Sequence, residues 1–136
     1  MKELTILLIE DDTIEVMKLN RTISKLKLPH KIIEKNNGEE ALEYLNSSGP
    51  LPDIILLDLN MPKMNGIEFL AVLKHHETLK YLPTIILTTS SHQKDMLDCY
   101  SLGVTGYLIK PLKYDDYVSK IEKLLAYWSI NELIKK

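Results

Sequence analysis

Short, largely apolar runs alternate along the chain with longer segments in which apolar residues recur every three or four positions. The runs cover residues 4–9, 54–57, 84–88 and 105–109, and a weaker one covers 30–35. Runs of this length predict β-strands, and an unbroken apolar run such as 54–57 is typical of a strand that is buried on both faces of a sheet.

The segments between the runs predict helices. The first begins at Thr13 and is stopped by Pro29, since proline cannot continue a helix. Four more are predicted at about 39–45, 66–75, 92–101 and from 113 to at least 128. Ser90 or Ser91 is a candidate N-terminal cap for the fourth helix, and Gly103 is expected to end it.

Strands that alternate with helices predict a parallel sheet with helices on both faces and right-handed crossovers. We therefore expect an α/β, flavodoxin-like (βα)5 fold, a doubly wound five-stranded sheet in the order 2-1-3-4-5. A chain of 136 residues is long enough for one domain. We assign that domain to residues 1–128 and expect residues 129–136 to be a helical extension of it.

Composition limits the cellular locations and the classes of binding partner to be expected. The net charge of −2 gives no reason to expect nucleic-acid or membrane partners, and no apolar stretch approaches the ~20 residues of a membrane span. One cysteine, Cys99, excludes an internal disulfide and is expected in the core. Three of the four histidines, His30, His75 and His76, show no ligand spacing and are expected at the surface. We expect a cytoplasmic protein.

Polar residues end or directly follow four of the predicted strands. Glu10, Asp11 and Asp12 follow the first, Asp58 the third, Thr88 closes the fourth, and Lys110 follows the fifth. The carboxyl ends of parallel strands meet at one edge, where α/β folds bind ligands. Clustered carboxylates repel one another unless a cation intervenes, and Mg²⁺ suits oxygen ligands of this kind. The sequence therefore predicts a Mg²⁺ site that includes Asp11 and Asp58.

Five short motifs resemble those of response-regulator receiver domains, in order and at similar spacing. They are LLIEDD at 7–12, LLDLNMP at 56–62, MNG at 64–66, LTT at 87–89 and GYLIKP at 106–111. The resemblance covers nearly the whole chain. Each motif alone is weak, but the set is specific.

The resemblance implies roles for the residues at the metal site. Asp58 matches the phosphoacceptor. Asp11 matches a direct Mg²⁺ ligand and Glu10 an acid that acts mainly through water, while the backbone carbonyl of Asn60 would complete the protein ligands. Thr89 is bulkier than the small residue often found at its position, which is expected to slow access of the phosphodonor.

The resemblance also implies a switch. Thr88 matches the hydroxyl that contacts the phosphoryl group, Tyr107 the aromatic that follows it, and Lys110 the lysine that neutralises phosphoryl charge. The Lys110–Pro111 bond would be cis. The expected function is that of a stand-alone response regulator, which accepts a phosphoryl group from a histidine kinase or histidine phosphotransfer protein and then binds a partner or relays phosphate.

Other interpretations of the same residues are weaker. Asp11 and Asp12 could be helix-terminal charges, Asp58 a turn residue and Lys110 a surface lysine, but these roles would have to coincide at one edge. An aspartyl phosphatase would carry a second acid at the position of Asn60, so we expect only self-phosphotransfer and self-dephosphorylation. A flavodoxin-like cofactor binder would need a phosphate loop in place of the acidic residues after the first strand.

The last helix carries two sets of apolar residues. One stripe is expected to pack on the sheet: Tyr114, Tyr117, Val118, Ile121, Leu124, Leu125 and Trp128. Tyr127, Ile130 and Ile134 recur at helical spacing on another face, and an exposed apolar patch is typical of a contact surface. We therefore predict a homodimer through the last helix, together with the exposed part of the fourth. The alternative is that these residues are solvated at a frayed terminus.

Overall fold

The computed structural model describes residues 1–134, which form five strands and five helices in alternation. The strands are β1 (Thr5–Ile9), β2 (Lys31–Lys35), β3 (Ile54–Leu57), β4 (Thr84–Thr88) and β5 (Gly106–Ile109). The helices are α1 (Thr13–Lys25), α2 (Gly38–Leu45), α3 (Gly66–His75), α4 (Gln93–Ser101) and α5 (Tyr114–Ser129), and a short 3₁₀ helix (Leu79–Tyr81) precedes β4. Every predicted strand and helix is present.

The strands form one parallel sheet in the order β2-β1-β3-β4-β5, which confirms the predicted flavodoxin-like topology. The register aligns the carboxyl ends of β1 and β3, since Ile9 pairs with Leu57, and those of β4 and β5, since Thr88 pairs with Ile109. Strands β1 and β3 are neighbours although they are not consecutive in the chain. The residues that follow them are therefore delivered side by side.

Helices bury both faces of the sheet. One face packs against α2, α3 and α4 through a core that includes Phe69, Leu70 and Leu73. The other packs against α1 and α5 and includes Leu19 and Ile121. All residues of β3 are fully buried, as the unbroken apolar run predicts for a central strand of a two-sided sheet.

The helices begin in different ways. Asp12 caps α1 by accepting a hydrogen bond from the Ile14 N–H, and Asn65 forms a capping box with Glu68 at α3. Helix α4 begins after His92, whose side chain makes no capping hydrogen bond. The prediction of a serine cap for α4 is wrong because the Ser90 hydroxyl instead donates to the Asp95 carboxylate at 2.5 Å.

The C-terminal segment departs from the prediction. Helix α5 ends at Ser129 and residues 130–134 are not helical, so a helical extension over 129–136 is wrong for these residues. Residues 135–136 lie outside the described residues. Leu133 packs against the core between the sheet and α1 and α5, so the non-helical segment still contacts the domain. The inward stripe of α5 is confirmed, since Tyr117, Ile121, Leu125 and Trp128 are buried.

Three further expectations can be compared with the structure. Cys99 is buried as predicted, but His30 is also buried, so its expected surface position is wrong. The ring of His30 is held inside because its Nδ1 accepts a hydrogen bond from the Leu4 N–H at 3.0 Å. Within residues 1–134 no peptide bond is cis, which corrects the expectation for Lys110–Pro111. No helix of this part of the chain is both long and apolar enough to cross a bilayer.

Candidate functional site

The sheet itself positions the charged groups of the site. Glu10, Asp58 and Lys110 each follow the last residue of a strand, and each donates its backbone N–H to a neighbouring strand. The acceptors are the carbonyls of Lys35 at 2.9 Å, Ile9 at 3.1 Å and Thr88 at 2.7 Å, respectively. The hydrogen-bond ladder of the sheet thus extends by one residue beyond each of these strands. The backbone of each charged residue is therefore fixed by the sheet.

Three carboxylates meet at this edge. Glu10, Asp11 and Asp58 each offer an oxygen atom, and these atoms lie within 4.8 Å of one another. Glu10 and Asp58 are buried, whereas Asp11 is exposed. A donor set made only of carboxylate oxygens suits a hard cation such as Mg²⁺, which is commonly held by one or two carboxylates and keeps water and phosphate oxygens as its other ligands. The residues present therefore fit the metal that the sequence predicts.

The carboxylates lie in an open cavity of about 270 Å³ at the carboxyl edge of the sheet. Asn60 and Thr89 are exposed and contribute to its wall. The full lining consists of Glu10, Asp11, Asp12, Glu15, Asp58, Asn60, Thr89 and Lys110. All but Asp12 and Glu15 are residues to which the receiver resemblance assigns a role or a departure from the family pattern.

Lys110 is the buried cation of the site. Its Nζ lies 2.7 Å from Glu10 Oε1, 3.3 Å from Glu15 Oε1 and 4.0 Å from Asp58 Oδ1. Burial lowers the pKa of Lys110, but the hydrogen bond and charge of Glu10, followed by the charges of Asp58 and Glu15, outweigh burial and raise it above its ordinary value. The side chain therefore stays charged beside Asp58.

The two buried carboxylates are costly to ionise. Burial raises the pKa of Glu10 to about 7 against the opposing effect of Lys110. Burial also raises the pKa of Asp58, and the charge of Lys110 and a hydrogen bond from Thr88 oppose the rise. One lysine does not balance this negative charge, so a divalent cation bound by the carboxylates would favour their ionised forms.

Thr88 and Tyr107 both contact the backbone of Ser90. The Thr88 side chain is fully buried, and its hydroxyl oxygen accepts a hydrogen bond from the Ser90 N–H at 3.4 Å. The Tyr107 hydroxyl donates to the Ser90 carbonyl at 3.0 Å, and its ring is partly buried against the core between the sheet and α2, α3 and α4. The predicted switch residues are thus linked through one residue of the loop between β4 and α4.

Sequence reasoning missed Glu15. This residue is in the first turn of α1, four residues after Asp11, and that spacing places it about one helical turn from the acidic pair. The helical spacing was therefore a signal that could have brought it to the site.

Two large apolar residues of α1 are exposed. Ile14 is 69% exposed and Met17 is 68% exposed, and Leu112 near the start of α5 is fully exposed. With Lys18, Arg21 and Tyr114 they line a shallow cavity of about 410 Å³. We refer to Ile14, Met17 and Leu112 as the α1 patch. It lies next to the acidic cavity, since Glu15, which lines that cavity, directly follows Ile14 in the chain, and Lys110, which also lines it, precedes Leu112 by two residues.

Known proteins agree with this fold and site. Residues 6–122 match the response regulator receiver domain family. The probable methanogenesis regulatory protein FilR2 of Methanothrix harundinacea is 37% identical over 127 residues, which are 90% of this chain and 82% of that protein. Response regulator Rcp1 of Synechocystis is 33% identical over 128 residues, which are 90% of this chain and 87% of that protein.

Two solved structures extend the likeness to three dimensions. The phosphorylated cyanobacterial phytochrome response regulator RcpA superposes with a TM-score of 0.90 at 31% identity, covering 98% of this chain and 99% of that chain. The Mn²⁺-bound form of Rcp1 superposes with a TM-score of 0.87 at 30% identity, with the same coverage of the two chains.

The chain therefore belongs to the response regulator receiver domain family. It is a response regulator of two-component signalling, a class that is phosphorylated on an aspartate with Mg²⁺ bound. Receiver domains take the phosphoryl group from histidine kinases or phosphotransfer proteins. The carboxylate cluster of Glu10, Asp11 and Asp58 is suited to binding the metal ion that this chemistry requires.

Proposed function

We propose that Asp58 is the phosphoacceptor, that Glu10 and Asp11 are the acidic pair that holds Mg²⁺, and that Lys110 neutralises the phosphoryl group. One observation carries the proposal: the buried Asp58 carboxylate opens to a cavity that is also lined by two further carboxylates and by the Lys110 ammonium 4.0 Å away. A nucleophile, a cation site and a fixed positive charge are the components of phosphoryl transfer.

The reaction follows from these positions. A carboxylate oxygen of Asp58 attacks the phosphorus of a donor phosphohistidine, the new O–P bond forms and the N–P bond breaks, and the bonding pair stays on the imidazole nitrogen. Bound Mg²⁺ supplies charge neutralisation for the phosphoryl oxygens. Lys110 stabilises the same oxygens from the side of β5. Attack of water on phosphorus later breaks the O–P bond, which releases inorganic phosphate and restores the carboxylate.

Asn60 supports a reaction confined to the protein itself. It lies two residues after Asp58 at the exposed wall of the cavity, where a general acid would be needed for turnover of external substrates. An amide cannot serve as that acid. We therefore propose self-phosphotransfer and self-dephosphorylation only, with the backbone carbonyl of Asn60 as the remaining protein ligand of the metal.

The proposed switch runs through Ser90. Once a phosphoryl oxygen binds the Thr88 hydroxyl, Thr88 moves toward Asp58 and the Ser90 N–H loses its acceptor, which is already 3.4 Å away. Because Tyr107 is hydrogen-bonded to the Ser90 carbonyl, the loop and the aromatic ring shift together. Phosphorylation would in this way shift the population of states at the surface formed by α4 and β5.

The donor must reach Asp58 through the open cavity, so its surface has to cover the cavity wall. The α1 patch adjoins that wall and offers exposed apolar side chains. We propose that a histidine kinase or histidine phosphotransfer protein packs on Ile14, Met17 and Leu112 while its histidine enters the acidic cavity. A cytoplasmic location without nucleic-acid or membrane partners is part of the same proposal.

We also propose a homodimer through the C-terminal end of α5 and the residues after it. Tyr127, Ile130 and Ile134 are 57%, 78% and 66% exposed, which leaves three large apolar side chains near one another in the chain without cover. Leu97 and Tyr100 on α4 are also exposed and would extend the contact.

Phosphorylation with a small donor tests the assignment of Asp58. Incubation with acetyl phosphate and Mg²⁺ should add one phosphoryl group by intact mass, and chelation of the metal should prevent it. Asp58→Asn should remain unlabelled, whereas Asp116→Asn, which removes an exposed acid from the first turn of α5, should label like the wild type. Labelling of the Asp58 variant to the wild-type extent would refute the assignment.

A further inference from the structure

Lys110 is shared by more carboxylates than the proposed reaction uses. Glu15 Oε1 lies 3.3 Å from the lysine nitrogen, which is closer than the 4.0 Å of Asp58 Oδ1. Glu15 belongs neither to the acidic cluster that can hold the metal nor to a strand end. The ammonium is therefore drawn from Asp58 toward α1 by a charge that has no assigned role.

The local structure leaves Glu15 free for this contact. Asp12 and Glu15 have the spacing of a capping box, in which Glu15 would accept the Asp12 N–H. That N–H instead donates to Glu10 Oε2 at 3.2 Å. The carboxylate of Glu15 is consequently not used to cap its own helix, and it points to the lysine instead.

The charge of Glu15 depends on Lys110. Glu15 Oε1 is buried and has no hydrogen-bond partner among the described residues, so the nearby ammonium is its main compensation. The other oxygen, Oε2, lies 3.4 Å from Lys18 Nζ, and the Lys18 ammonium also lies over the ring of Tyr117 at 4.7 Å. Lys18 is therefore divided between two partners and does not replace Lys110.

We propose that Glu15 is a positioning residue that competes with the phosphoryl group for Lys110. In the unphosphorylated protein it holds the ammonium on the α1 side of the cavity. When Lys110 moves to a phosphoryl group on Asp58, Glu15 Oε1 is left buried without its counter-charge, which opposes that movement. Glu15 thus lowers the occupancy of the Lys110–phosphoryl contact. This inference rests on the proposed function.

Binding of fluoroberyllate, a stable phosphoryl mimic, measures that contact without the kinetics of phosphate transfer. With Mg²⁺ present, bound fluoroberyllate is followed by fluorine NMR. Glu15→Gln keeps the shape of the side chain and removes its charge, so the affinity should rise by about threefold or more, the size expected for a partly exposed ion pair. Glu39→Gln removes an equal charge at the exposed start of α2 and should leave the affinity unchanged.

Two further variants test whether Glu15 acts through its contact with Lys110, through its charge at a distance, or through an effect on folding. Glu15→Asp keeps the charge but shortens the side chain by one methylene, so it should behave like Glu15→Gln if the contact with Lys110 matters. Wild-type affinity in Glu15→Asp together with raised affinity in Glu15→Gln would overturn the proposal. The charge of the side chain would then act at a distance and not through its contact with Lys110. In a Lys110→Ala background Glu15→Gln should have no effect, as a double-mutant cycle requires of a direct pair.

The outcomes also separate this inference from the proposed function. If the wild type binds fluoroberyllate and Asp58→Asn does not, the acceptor assignment stands whatever Glu15 does. Unchanged affinity in Glu15→Gln would then overturn the positioning role alone. Absence of Asp58-dependent binding in the wild type would refute the proposed function itself.

Discussion

The proposed role of Asp58 requires its side chain to be ionised although it is partly removed from water. Burial raises the pKa of Asp58, while the charge of Lys110 and a hydrogen bond from Thr88 lower it. An exposed carboxylate would escape the cost of burial, but water would screen the charges that stabilise the phosphoryl group. The proposed nucleophile is therefore moderately costly to ionise, and it lies where nearby charges act strongly.

Gly66 is required for the loop that carries Asp58 into the cavity. A Cβ built at this position would collide with the backbone oxygen of Asp58 and lie 2.7 Å from Leu59 Cα. Both are backbone atoms, so the loop between β3 and α3 would have to shift. We expect Gly66→Ala to lower the free energy of unfolding by about 2 kcal/mol, as overpacking typically does, and to slow labelling of Asp58.

Gly49→Ala is the matched control, since a Cβ there would meet only the Ser47 hydroxyl at 3.8 Å. Denaturant unfolding of both variants checks the prediction. Equal stability of Gly66→Ala and Gly49→Ala would show that the loop accommodates the methyl group.

The residues of the site differ in how far sequence could predict them. Glu10, Asp58 and Lys110 directly follow strands, so the topology alone brings them together. Helical spacing could have placed Glu15 near the site, but its contact with Lys110 could not be predicted. Its spacing from Asp12 is that of an ordinary capping box, and only the tertiary structure shows that Glu10 accepts the Asp12 N–H instead.

Among the elements, α4 has few of the contacts that hold the other helices. It has no side-chain cap, and Cys99 is its only buried residue. Helix α3, by contrast, has a capping box and buries Phe69, Leu70 and Leu73. A helix with few buried side chains costs less free energy to displace. The proposed switch through Ser90 requires such a displacement of α4.

Strand β2 lies at the edge of the sheet, and His30 ties its start to β1. The Leu4 N–H donates to His30 Nδ1, so the fold requires the neutral ring with its proton on Nε2. Burial lowers the pKa of His30, and the charge of Glu3 opposes the effect only in part. A lowered pKa means that the folded state disfavours the protonated ring, so this stabilisation is present above the ordinary pKa of 6.5 and is lost as the pH falls below it.

We therefore expect the free energy of unfolding to fall from about pH 7.5 to about pH 5.5 by roughly 1 kcal/mol more in the wild type than in His30→Asn, the size of one hydrogen bond. Asparagine keeps an acceptor the same number of bonds from Cα but does not titrate. Glu10 and Asp58, whose raised pKa values change stability in the opposite sense, are present in both proteins and cancel in the difference. Parallel pH curves for the two proteins would contradict the prediction.

The elements also show where sequence patterns stop being informative. The apolar stripe of α5 predicts its buried face correctly, because period and burial are linked within a helix. The end of α5 at Ser129 could not be predicted, since Ile130 and Ile134 continue the same spacing. Beyond the end of α5, the structure shows that Leu133 still packs against the core although the chain is no longer helical.

At the scale of the whole molecule, one edge of the sheet holds the chemistry and the helices on its two faces carry surfaces for partners. The α1 patch adjoins the acidic cavity, whereas Tyr127, Ile130 and Ile134 lie at the far end of α5 and just beyond it. A donor protein on the α1 patch and a second copy at the end of α5 therefore use different residues. The homodimer can be tested without disturbing phosphorylation.

The dimer prediction depends on Ile130 and Ile134, which are exposed by 78% and 66% although both are large and apolar. Large exposed apolar side chains favour a contact surface, and a charge placed inside such a contact would be buried without a partner. We expect the wild type to sediment as a dimer and Ile130→Asp/Ile134→Asp as a monomer. Leu97→Asp should weaken the dimer if α4 takes part.

Val72→Asp is the matched control, because Val72 is a 46% exposed apolar residue on α3, outside the proposed contact. Its sedimentation should equal that of the wild type. Leu133 is left unchanged in all variants, since it packs on the core and its loss would confuse folding with association. Acetyl phosphate labelling of each variant confirms that the site is intact. A wild type that is already monomeric would mean that Tyr127, Ile130 and Ile134 are simply solvated, and the dimer would have to be abandoned.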